Sequence, residues 1–181
     1  MRTCMAFIAA LSVVAASGAL GQASPPVSPC DMPAASTVGW RVVDEEIFEL
    51  RVPPDFERIP VQNQDSHIVG HWGSARLRGV GYELSWYANP LRGAAQQYGY
   101  TGCTMQIGDR TAFVIASSRS AEARSNTAPR ISVAASWDPA PDGPTARLRL
   151  TMSAISDRPN EHDVLIAIIR SVRFKHAARR D

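Results

Sequence analysis

The chain has 181 residues, enough for one domain once a leader is removed, and its 19 Lys and Arg stand against 17 Asp and Glu. So even a balance excludes the strong basic excess by which a nucleic-acid-binding domain meets phosphate. Its partners are therefore sought among proteins and small ligands.

Residues 1–23 read as an export signal. Arg2 supplies a positive start, a run of small and apolar residues from Met5 to Leu20 supplies the middle, and Ala19-Leu20-Gly21 or Gly21-Gln22-Ala23 offers a small-x-small cleavage pattern. The run falls short of the ~20 apolar residues that span a bilayer and is diluted by Ser12, Ser17 and Gly18, so it predicts a cleaved leader rather than an anchor. No later segment is that long without charges, so no transmembrane segment is expected after cleavage. Proline directly before Cys30 argues against a lipoprotein junction. The mature chain is expected in the periplasm or outside the cell.

Cleavage removes Cys4 and leaves Cys30 and Cys103, which in an oxidising compartment most simply pair. Closing a loop of roughly seventy residues stabilises by about 4 kcal/mol in the chain-entropy model. There is no Cys-x-x-Cys pair to shuttle electrons, so the predicted role is structural.

In chain order, residues 24–38 form a Pro- and Ser-rich linker that Cys30 can tack down. One domain follows over 39–176, with a tail at 177–181. Phe48, Leu50 and Val52 alternate with Glu49 and Arg51 as a half-buried strand, stopped by Pro53-Pro54. Ile68-Val69 and the Ala75-to-Val80 stretch read as strands interrupted by Gly70, Gly73, Gly79 and Gly81. Asn89 to Gly102 has no periodicity and reads as a long loop.

Thr101 to Ile107 and Arg110 to Ala116 flank Gly108-Asp109, a hairpin with a two-residue turn. The run Phe113-Val114-Ile115 suits a strand covered on both faces. Ile131, Val133, Ala135 and Trp137 alternate on one strand, and Leu148, Leu150 and Met152 on its antiparallel neighbour. Val164, Leu165, Ile168, Ile169 and Val172 then make a helical stripe, with Asp157 or Asn160 as cap. The fold class predicted is α+β: a single, mainly antiparallel sheet with a C-terminal amphipathic helix packed on one face. The basic cluster Arg170, Arg173, Lys175, Arg179 and Arg180 reads as a solvated helix end and tail.

Four stretches carry a family resemblance: Phe48 to Phe56, Asp65-Ser66 through Trp72, Ile107-Gly108-Asp109-Arg110-Thr111-Ala112, and the last helix ending Ile-Arg-Ser-Val-Arg-Phe at 169–174. In spacing they resemble the PsbP-like α/β/α sandwich proteins, most nearly the small secreted bacterial members. The resemblance implies a fold and an accessory or binding role. It transfers no catalytic residue.

Asp65, His67 and His71 are the sharpest candidates for chemistry. In an extended segment they point to one side, and two imidazoles with a carboxylate can hold Zn²⁺ with a position left for water. The other reading makes them polar residues on a solvent face, since no further His or Cys supplies a fourth partner. Ser74 lacks the Gly-x-Ser-x-Gly elbow of a hydrolase, and Asp44, Glu45 and Glu46 read as solvated carboxylates.

Trp72, Trp86, Tyr87, Tyr98 and Tyr100 flank the aperiodic segment. Exposed together they would line a groove for a peptide, a glycan or a small apolar ligand; otherwise the two tryptophans are core and the tyrosines cover its edge. The function expected is that of an exported, non-enzymatic domain binding an envelope protein or small ligand without a cofactor. A metal-dependent hydrolase using Asp65, His67 and His71 is the alternative.

Overall fold

Period-two alternation in the middle of the chain becomes one large antiparallel sheet. A computed structural model describes residues 27–61, 68–75, 78–93, 96, 100–119, 130–139 and 147–175. The strands are β1 Arg41–Asp44, β2 Phe48–Val52, β3 Glu57–Arg58, β4 Ile68–Ala75, β5 Arg78–Ser85, β6 Thr101–Ile107, β7 Arg110–Arg119, β8 Arg130–Trp137 and β9 Arg149–Ser156. Helix α1, His162–Arg170, and the short strand β10, Arg173–Phe174, close the described chain. The large sheet runs β3-β4-β5-β9-β8-β7-β6, and β1-β2-β10 form a second, smaller sheet.

The large sheet sends Val80, Tyr82, Leu84, Leu150, Met152, Ala154, Val133, Ala135, Trp137 and Val114 to one face, all buried. On that face lie α1, packed against β8 and β9, and the small sheet. Phe48 meets Tyr82 edge to face at 4.9 Å, and Trp137 meets Phe174 at 5.7 Å, so the central strand β2 and the edge strand β10 of the small sheet reach the same core. The class is thus the predicted one: a single α+β domain, mainly antiparallel, with the helix on the sheet.

The β6–β7 hairpin turns at Gly108, whose φ of 63° is left-handed; a Cβ there would stand 3.1 Å from the Val172 carbonyl oxygen. Antiparallel pairing of β8 with β9, from Ile131 opposite Ser156 to Trp137 opposite Leu150, follows the predicted order. Val114 and Ile115 are both buried although they point to opposite faces, as a doubly covered strand requires.

Four expectations change. Ala75 to Val80 is not one strand: β4 ends at Ala75 and β5 begins at Arg78, so the glycines read as bends or bulges flank a hairpin, with a register shift between Gly73 and Ala75. The Asn89-to-Gly102 segment is not featureless, as described below. Neither Asp157 nor Asn160 caps α1; its N-cap is Glu161, which makes no side-chain cap bond and reaches elsewhere. The small sheet was not foreseen, because β1 and β10 are too short to show a period.

Glu161 instead ends a polar clasp. Its carboxylate accepts from Arg78 Nε at 3.0 Å, Ser156 Oγ at 2.7 Å and Arg158 Nη1 at 3.1 Å, while Arg78 also pairs with Asp55 at 2.7 Å. The clasp joins β5, β9 and the β2–β3 turn to the start of the helix. Residues 29–35 are held at the helix as well: Arg170 donates to the Cys30 carbonyl at 3.0 Å, and Ala35 N–H donates to the Asp163 carbonyl at 2.9 Å. Cys30 and Cys103 form a disulfide with Cα atoms 6.1 Å apart. Arg170 and Lys175 are therefore not merely solvated, since Lys175 pairs with Asp44. No helix among the described residues is long and apolar enough to cross a membrane.

Candidate functional site

The aromatic candidates divide between two places. Trp72 lies on the inner face of β4, half-buried, opposite Val80 of β5. Its indole N–H donates to Glu45 Oε1 at 3.0 Å, and the Arg41 guanidinium lies 5.2 Å from its ring centre. Tyr82 donates its hydroxyl to Glu45 Oε2 at 2.8 Å, and Arg58 approaches the same oxygen at 3.9 Å. Only a glycine fits at position 70 beneath this ring, because a Cβ there would come within 2.2 Å of Tyr82. Burial, then the bond to Glu45, pushes the Tyr82 phenol well above its usual range.

Glu45 thus differs from the solvated carboxylate expected. Its side chain is 10% exposed and ties the β1–β2 turn to the large sheet. Replacing it by Ala strands a Trp N–H and a Tyr hydroxyl, and is expected to lower the unfolding free energy by about 2 kcal/mol. A denaturant midpoint unchanged in Glu45→Ala would show that the bonds from Trp72 and Tyr82 to Glu45 carry no stability.

Trp86 and Tyr87 occupy the other place. They follow the last residue of β5 and are 60% and 85% exposed. Trp86 lies six positions beyond Val80, the residue opposite Trp72, about 20 Å along the line of β5. No single groove therefore contains both tryptophans, nor is Trp86 core. The Arg147 guanidinium lies 5.8 Å from the Trp86 ring centre, close enough for a cation–π contact.

Beyond Tyr87 the chain straps across the outer face of the large sheet. Arg149 donates to the Ala88 carbonyl at 3.4 Å, Thr151 to that of Asn89 at 2.7 Å, and Ser136 to that of Pro90 at 2.7 Å. Leu91 then adopts a φ of 63°, unusual for a residue with a Cβ, and buries its side chain with Ile115, Ala134, Tyr100 and Phe113. Tyr100 accordingly belongs to this second small core, and Tyr98 lies outside the described residues. A strap anchored at successive carbonyls holds the Trp86–Tyr87 pair at a fixed end of β5.

Of the metal candidates, Asp65 and His67 lie outside the described residues. His71 sits on the outer face of β4, where its Nε2 would stand 2.9 Å from a Cβ on Gly79. Among the described residues no three His, Cys, Asp or Glu gather to hold a metal ion. Ser74 accepts from Arg78 at 3.2 Å, at the rim of the Glu161 clasp.

Arg147 and the strap escaped sequence reasoning. The local sign for the strap was Asn89-Pro90, a turn-initiating pair four residues beyond the end of β5. Nothing local marks Arg147, which meets Trp86 only because β9 pairs with β5. No protein-family model matches this chain, and no curated protein matches it. Fold and site geometry alone define its class: an antiparallel α+β domain displaying an aromatic–arginine corner.

Proposed function

We propose that this chain is an exported, non-enzymatic accessory domain of the bacterial envelope that recognises a partner protein through Trp86, Tyr87 and Arg147. The observation carrying this reading is the exposure of an adjacent Trp and Tyr on a strap-held corner, beside an arginine. Trp, Tyr and Arg are the residues that dominate binding hot spots: the two aromatics offer large contact area with a polar end and little entropy to lose, and the guanidinium offers a planar fork of donors. The Cys30–Cys103 bridge and the leader-like residues 1–23 favour an extracytoplasmic setting. The PsbP-like resemblance, with its accessory and binding members, agrees.

Photo-crosslinking in intact cells tests the reading. A photoreactive residue placed at Tyr87 is expected to give a discrete adduct that disappears when Trp86→Ala is added. The same residue at Val38, equally open to solvent but far along the chain, should give none. Equal labelling at both positions, or no adduct at 87, would refute the proposal.

A further inference from the structure

Arg92, on the outer face, and Arg110, at the N-terminal end of β7, share a cavity of about 250 Å³ with Thr111, Phe113, Ser136 and Asp138. Arg92, just past the strap, lays its guanidinium 4.6 Å from the Phe113 ring centre. Arg110, at the start of β7, lies 4.2 Å from the ring centre of Phe174 and donates one N–H to the Asp138 carbonyl. An aromatic ring beneath each guanidinium fixes its plane and leaves N–H donors along the edge, the arrangement that meets a carboxylate or phosphate with paired hydrogen bonds.

The charge around the cavity favours an anion. Asp138, the carboxylate lining it, is paired with Arg149 at 3.3 Å and, like Asp109, also acts on Arg110, so these two carboxylates stand against the three arginines Arg92, Arg110 and Arg149. Burial lowers the Arg110 pKa, so a negative ligand would restore stabilisation that the protein alone withholds. The basic cavity at the end of α1 is less suited: Arg170 and Arg173 there are spent on backbone carbonyls, and Glu49 shares the space.

We infer that the Arg92–Arg110 cavity is a binding site for the oxyanion group of a small molecule, a carboxylate or a phosphate. It lies three strands from Trp86, about 14 Å across the sheet, and is independent of the corner assigned to a partner protein.

Titration of the mature chain with succinate and, separately, inorganic phosphate tests this, read by NMR shifts of the arginine Nε–H signals at constant ionic strength. Saturable binding of one or both probes is expected, with a dissociation constant on the order of 1 mM. Arg92→Gln should weaken it at least about tenfold, as befits loss of one charge-assisted contact. The Arg92 side chain is exposed and makes no hydrogen bond among the described residues, so this variant should fold; Arg110→Gln, which also loosens Phe174, serves as the second. Arg51→Gln and Tyr87→Ala should leave the affinity unchanged. The preferred probe identifies the group. Failure of both probes to saturate by about 20 mM, equal shifts with chloride, or undiminished affinity in Arg92→Gln would overturn the inference.

Discussion

Replacing Cys30 and Cys103 together by Ser is expected to lower the unfolding free energy of the domain by about 4 kcal/mol. The bridge joins residues 73 apart, so its loss restores a large loop's worth of freedom to the unfolded chain. It also releases residues 29–35, which the folded domain uses: Met32 packs against the main core, and the Cys30 carbonyl accepts from Arg170. Urea denaturation of the double variant against the parent measures the difference. A loss below about 1 kcal/mol would mean that Arg170 and the Ala35–Asp163 bond hold the N-terminal segment without covalent help.

Glu161→Ala should destabilise by about 3 kcal/mol. The Arg78 side chain is 11% exposed and Glu161 16% exposed, so truncation leaves a nearly buried guanidinium with Asp55 and Ser74 as its hydrogen-bond acceptors among the described residues, and removes the acceptor of Ser156. Burial by itself would raise the Glu161 pKa. The bonds from Ser156 and Arg78, the Arg78 charge and the bond from Arg158 outweigh it, and the carboxyl titrates below its usual range. A depressed folded pKa means that the stabilisation is fully present above the unfolded value, about 4.3, and is lost as pH falls through the lower folded value. Denaturant midpoints from pH 7 down to about pH 3 should therefore fall more steeply in the parent than in Glu161→Gln, whose side chain does not titrate. Parallel acid limbs would show that the clasp is not ionised as drawn.

The elements legible beforehand were those with a long, unbroken period. Residues 131–137 and 148–152 alternate cleanly because one face of each strand meets the helix, and residues 164–172 show a stripe because α1 buries Leu165, Ile168 and Ile169. Gly108-Asp109 marked its hairpin because a left-handed turn position selects glycine locally. The glycine-rich stretch from Gly70 to Gly81 misled for a related reason. Gly70 answers to the Tyr82 ring on the neighbouring strand, and Gly79 to the backbone of Trp72, so these two report cross-strand contacts, while Gly73 stands at the one register shift between β4 and β5.

Pairing of the two cysteines followed from counting, and the α+β class from periodicity; both are properties a chain carries in its own order. Glu45 could not be told from Asp44 or Glu46, since only the docking of the small sheet brings Trp72 and Tyr82 to it. Trp86 could not be told from Trp72: both follow strand-like residues, yet one faces the interior and the other overhangs a strand end. The joining of Arg92 to Arg110 depends on a strap crossing the sheet from β9 toward β7. Local backbone preference and alternation are written along the chain. Which polar groups share a site is set by long-range strand pairing and layer packing, whose partners stand tens of residues apart.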